Sequence, residues 1–213
     1  MKGDEFMKLT KKVFAVVLAM VMLTATFAMS ASANISDYIL KFDNNGEFKI
    51  MMFADSQDNE DLEETTTQLM KEALAKYEPD LVVFMGDNSV ASGEKQADAI
   101  AAVVAPCVEA EVPFTVVFGN HDQEQGVSNE YLLREYQKYP GCLAYDAIPS
   151  LYGCGNHNLP ILASNGYKVA FNLWFIDSGT TTEEAGGYDY VREDQINWYK
   201  KTAETLAMFN GGE

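Results

Sequence analysis

Three apolar runs in this chain end in polar clusters whose residue types can do chemistry. "FKIMMFAD" runs into Asp55-Ser56-Gln57, "DLVVFMGDN" into Gly86-Asp87-Asn88, and "PFTVVFGN" into Gly119-Asn120-His121-Asp122. His121 is one of only two histidines in 213 residues. Carboxylates pushed together repel each other unless a cation separates them. Carboxylate, amide and imidazole donors suit Mn, Fe, Zn or Mg rather than Cu(I). Two such cations about 3.5–4 Å apart, bridged by one carboxylate, can activate water and stabilise an in-line displacement at phosphorus. An imidazole outside the metal shell can then protonate the leaving group or stabilise charge on the phosphoryl oxygens.

The elements between these clusters would bring them together. Phe48–Asp55, Asp80–Asn88 and Pro113–Asn120 read as strands, and Tyr167–Gly179 as a fourth. Helical periodicity covers Leu62–Tyr77, with Leu62, Thr66, Leu69, Ala73 and Tyr77 on one face. Lys95–Glu111 reads as a helix with Ala97, Ile100, Ala101, Val104 and Val108 inward, kinked or restarted at Pro106. Asn129–Tyr139 and Arg192–Phe209 complete the helices, and the Gly-, Asn- and Pro-rich stretch up to Gly166 reads as irregular. Strands apolar on both faces and spaced by helices indicate an α/β fold, with a buried, largely parallel sheet and helices on both sides. The carboxyl ends of parallel strands share one edge, where ligands bind. Asp55, Asp87, Asn120 and His121 should converge there, with Gly86 and Gly119 letting the backbone turn just before the polar residues.

"ADSQ", "GDN" and "GNHD", in this order at successive strand ends, resemble the calcineurin-like metallophosphoesterases. "PDLVVFMGDN", "GNHDQE", "FNLWFIDSG" and "QINWYKKT" look like the purple-acid-phosphatase-related branch, over roughly Phe48 to Phe209. The resemblance implies that Asp55 binds a first metal, Asp87 bridges two, and Asn120 binds the second through its side-chain oxygen. It makes His121 the outer-sphere acid or oxyanion stabiliser, with Asp122 orienting it. The implied fold is a metallophosphoesterase-like pair of layered sheets flanked by helices, incomplete at the C-terminus. Gln57 stands where the family usually has a His ligand, and its amide oxygen would bind metal more weakly. The family's downstream Gly-His-x-His pattern does not occur, so the chain reads as the front part of a longer protein. The implied function is hydrolysis of small-molecule phosphomonoesters or diesters through two metal ions (Fe, Zn or Mn) and a metal-bound hydroxide. The alternative is a non-catalytic secreted metal- or anion-binding module with a degenerate site.

Composition adds a setting. Residues 1–33 combine Lys8, Lys11 and Lys12, the apolar run Val13–Leu23 and a small-residue end at Ala31-Ser32-Ala33, the pattern of an export signal. A single phosphoesterase domain over 34–213 would then be secreted or held in the cell envelope, with no membrane contact beyond the signal. The formal charge of −17 disfavours nucleic-acid backbones and anionic lipids as partners. Cys142 and Cys154 bracket a Gly- and Pro-rich loop and could pair, leaving Cys107 buried. His157 in "GCGNHNLP" reads as a solvated loop residue, Asp177 as a structural cap or turn, and Trp174 and Trp198 as core or groove lining.

Overall fold

A computed structural model describes residues 38–57, 64–124 and 126–211; the expected export signal lies outside them. Strands β1 (Ile50–Phe53), β2 (Leu81–Phe84) and β3 (Phe114–Val116) form a parallel sheet in that order. Phe53 registers with Phe84, and Phe84 with Val116, so the three strands finish level. Helix α1 (Glu64–Tyr77) joins β1 to β2, and α2 (Gln96–Glu109) joins β2 to β3. Helix α3 (Asn129–Tyr136) follows, its first turn capped by the Ser128 hydroxyl, which accepts from the Tyr131 N–H at 3.3 Å. The chain then returns beside β3, where Phe114 bonds Gly141 and Leu143 at 2.8 and 2.7 Å.

The two faces of β2 bury against different layers. Val82 and Phe84 pack among Met70, Leu74, Ile100, Val103, Leu132 and Tyr136 from the helices. Leu81 and Val83 pack instead on Leu159, Ile161 and Phe175. Fully burying side chains of this size contributes roughly 1.5–3 kcal/mol each, so β2, buried throughout, anchors both cores. The second set belongs to an antiparallel pair, β4 (His157–Leu162) and β5 (Val169–Phe175). Its outer side meets α4 (Glu193–Phe209), where Trp174 lies 5.4 Å from Trp198 and 4.7 Å from Tyr199, ring to ring. The result is the expected α/β pair of layered sheets flanked by helices. The far face of the parallel sheet carries a second sheet, however, and not the helices that strand patterning alone indicates. A two-residue hairpin, β6 (Thr181–Thr182) with β7 (Gly187–Tyr188), links β5 to α4.

Several expectations change in detail. The stretch read as irregular contains β4, because Pro160 and its Gly and Asn neighbours disguise an alternation that buries His157, Leu159 and Ile161. His157 is therefore a fully buried strand residue and no solvated loop. Helix α1 buries Met70 and Leu74, while Leu69 and Tyr77 are exposed, a phase error of one residue in a correct period. In α2, Ala99, Val103 and Cys107 are buried in place of Ala97, Ala101 and Val108, and the helix runs on through Pro106. Cys107, Cys142 and Cys154 are all free and buried, so the suggested Cys142–Cys154 pair is not formed. Burial pushes each thiol up to about 12, where it acts as a small apolar group. Asp177 is structural: it accepts hydrogen bonds from Asn129 Nδ2 (3.1 Å) and from the backbone N–H groups of Cys154 (2.9 Å) and Gly179 (2.8 Å).

Candidate active site at the strand ends

The parallel strands stay zipped beyond their last sheet residues. Met85 N–H donates to Phe53 O at 2.8 Å, Asp55 N–H to Gly86 O at 3.2 Å, and Gln57 N–H to Asp87 O at 2.9 Å. The Ser56 hydroxyl adds a bond to Asn88 O at 2.8 Å. These bonds carry the Asp55–Gln57 turn alongside the Asp87 turn. Asp55, Gln57 and Asp87 have φ of 55°, 42° and 52°, and they are three of the five left-handed non-glycine residues among those described. Each costs of order 1 kcal/mol or more, and such strain clusters where a site needs a fixed side-chain direction.

The third cluster is tied to the second through two carboxylates. Asp87 Oδ1 accepts the His121 backbone N–H at 2.8 Å. Asp122, almost fully buried, accepts three backbone N–H groups: Asp87 at 2.8 Å, Gly119 at 2.7 Å and Asn88 at 2.9 Å. Burial raises the Asp122 carboxyl above its ordinary value, while the three N–H donors pull it back down. Its carboxylate is thus a clip between two turns, and it makes no bond to the His121 ring, contrary to the orienting role inferred from the motif. The ring's partner is Glu124, whose carboxylate lies 2.7 Å from Nδ1, with both side chains about half exposed. That hydrogen bond, with the Glu124 charge, raises the imidazole above its usual value against the effect of burial. Sequence reading missed Glu124, although a carboxylate three residues after the His, in one tight turn, was the available signal.

The glycines explain how the turns come so close. A Cβ on Gly86 would sit 2.7 Å from Gly119 N and 2.9 Å from Gly119 Cα. A Cβ on Gly119 would lie 2.7 Å from both the Asp87 carboxyl carbon and the Asp87 backbone nitrogen. Gly119→Ala is therefore expected to displace Asp87 and cost about 1–3 kcal/mol as overpacking, read as a lower urea midpoint. An alanine variant matching wild type in stability would show that the turns have room to separate.

Asp55 and Gln57 are exposed, and Asp87 and Asn120 half-buried, at this one edge. Two carboxylates and two amide oxygens are hard donors that fit a single Mn- or Mg-like cation. They do not fill two metal sites. Among the described residues no group of three or more His, Cys, Asp or Glu side chains is placed to hold a metal. His157 cannot help: it is fully buried, with Nε2 2.7 Å from the Thr115 hydroxyl and Nδ1 2.7 Å from Gly155 O.

The model of the calcineurin-like phosphoesterase family matches residues 48–210. Two Arabidopsis thaliana proteins named "Probable inactive purple acid phosphatase 14" and "Probable inactive purple acid phosphatase 29" are 30% and 31% identical. Those matches cover 79% and 78% of this chain and 50% of each relative. "Phosphatase DCR2" of Saccharomyces cerevisiae (strain ATCC 204508 / S288c) is 27% identical, over 78% of this chain and 35% of its own length. The chain spans about half the length of the Arabidopsis relatives it matches, and no solved structure matches it. With the family's match spanning the whole parallel sheet, the second sheet and α4, the chain belongs to the calcineurin-like phosphoesterase family, on its purple-acid-phosphatase-related branch.

Proposed function

We propose that the strand-end cluster is part of a metal-dependent phosphoesterase site that hydrolyses small phosphomonoesters or diesters. The observation that carries this reading is the meeting of the Asp55, Asp87 and His121 turns at one sheet edge, tied by the Gln57–Asp87 and His121–Asp87 bonds. Asp55 and Asp87 would hold a divalent cation, with the amide oxygens of Gln57 and Asn120 completing its oxygen shell. Bound there, the cation would supply a Lewis acid for a phosphoryl oxygen and a means of activating water. Asp87 would be the bridging ligand of a dinuclear centre of Fe, Zn or Mn, whose second ion needs donors beyond these four. The His121 imidazole would give its proton to the leaving oxygen, and Asp122 would act by holding the turns in register. Residues 1–33 support export, so the reaction would take place outside the cytoplasm. No described helix is long and apolar enough to cross a membrane.

With p-nitrophenyl phosphate, or its bis ester, and Mn, the expected result is hydrolysis that falls about a hundredfold in both Asp87→Ala and His121→Ala. Variants as active as wild type would remove the mechanism. A second reading has two observations behind it: Gln57 stands where the family resemblance expects an imidazole ligand, and three relatives carry "inactive" in their names. On that reading the edge binds a cation or anion without turnover. Metal retained after dialysis and lost in Asp87→Ala, with no hydrolysis of either ester, would select it.

A further inference from the structure

We propose that Glu124 is the positioning residue for His121, accepting the hydrogen on Nδ1 and leaving Nε2 as the nitrogen presented to substrate. The inference deepens the phosphoesterase reading and rests on it for its catalytic consequence. The pair is set by one short turn. The Glu124 backbone N–H donates to His121 O at 3.1 Å, and the Glu124 carboxylate reaches Nδ1 at 2.7 Å. The same residue therefore holds both the backbone and the ring of His121. On the other side, Asp87 Oδ1 fixes the His121 backbone N–H at 2.8 Å. With its backbone held from both sides and one ring nitrogen engaged, the imidazole keeps a single direction. Nε2 has no hydrogen-bond partner among the described residues. As proton donor to a leaving oxygen the ring acts as imidazolium: Nδ1–H stays on the Glu124 carboxylate, the proton on Nε2 passes to the leaving oxygen, and the neutral Nδ1–H ring remains. Glu124 touches no reacting atom, so its effect travels through the ring.

The test has two readouts on the full chain. The first is the long-range proton–nitrogen correlation of the imidazole rings at pH 8, simple to assign because the only histidines are His121 and His157. An unrestrained neutral imidazole favours the Nε2–H tautomer. His121 should instead carry its hydrogen on Nδ1, as His157 does opposite Gly155 O. Glu124→Ala should return His121 to Nε2–H and leave His157 unmoved, whereas Glu124→Gln, whose amide oxygen still accepts, should keep Nδ1–H. The second readout is p-nitrophenyl phosphate hydrolysis with Mn. Glu124→Ala should lower kcat about tenfold with KM within about twofold, and Glu124→Gln should recover most of the loss. The proposal is overturned if Glu124→Ala leaves His121 on Nδ1, or keeps wild-type kcat while His121→Ala does not. If wild type hydrolyses neither ester, the phosphoesterase reading fails on its own, and the tautomer shift alone decides whether Glu124 positions the ring.

Discussion

Asp122→Ala is expected to lower the free energy of unfolding by about 3–5 kcal/mol, a loss few other single polar substitutions here should match. The Asp122 side chain is buried, and its two oxygens take three backbone N–H groups at 2.7–2.9 Å. Those donors belong to Asp87, Asn88 and Gly119, in the two turns that the carboxylate clips together. Alanine would leave all three without an acceptor, the Asn88 donor buried and the Asp87 and Gly119 donors half-buried, at up to about 1–3 kcal/mol each before relaxation. Asp122→Asn keeps the shape but turns one acceptor into a donor facing other donors, and should cost about 2 kcal/mol. Urea titration would read both as midpoint shifts at unchanged slope. A loss below about 1 kcal/mol for the alanine variant would mean that water replaces the carboxylate, and that the turns are held by something else.

The same residue shows what the sequence conveys and what it withholds. "GNHD" locates the turn, and the level strand ends follow from three apolar runs of similar length on one sheet edge. The partner of each side chain does not follow, because it depends on how the turn coils. Asp122 lies next to His121 in the chain, yet its carboxylate points back to Asp87, Asn88 and Gly119, and Glu124 reaches the ring across one turn. Gln57 shows the opposite case. Its type is a departure visible in the sequence, while its left-handed backbone, bonded to Asp87 O, appears only in three dimensions. Of the second sheet, β5 is legible within Tyr167–Gly179, while β4 stayed hidden because it runs through a proline that donates nothing to the ladder. Helix phase slipped in α1 because Leu69 and Met70 are adjacent and both apolar, so periodicity alone does not choose which one faces the core.

His157 should make the fold sensitive to mild acid. The ring is fully buried between Phe175, stacked at 4.5 Å, and Tyr145 at 5.1 Å between ring centres. Gly155 O accepts from Nδ1–H, and Nε2 accepts from the Thr115 hydroxyl, so the neutral ring is fully paired. A second proton would go to Nε2, displacing that bond and placing a charge in an apolar core. Burial accordingly holds the imidazole down at about 4, against 6.5 in the unfolded chain. Between those values the unfolded state binds a proton that the folded state refuses, so stability rises with pH across this window. Stability is intact above 6.5 and is lost progressively as pH falls towards 4, a change on the order of 3 kcal/mol for this one group. His121 works in the opposite sense: its raised value adds stability below 6.5 that is lost as pH rises through the folded value, and this lies outside the acid window. Carboxylates with shifted values also titrate towards pH 4, but they are common to wild type and His157→Gln. Subtracting the two urea-unfolding profiles from pH 7 to 4.5 isolates the histidine: wild type should lose stability more steeply on acidification, whatever the variant's absolute stability. Parallel profiles would mean that the buried ring takes up its second proton in the native state at little cost.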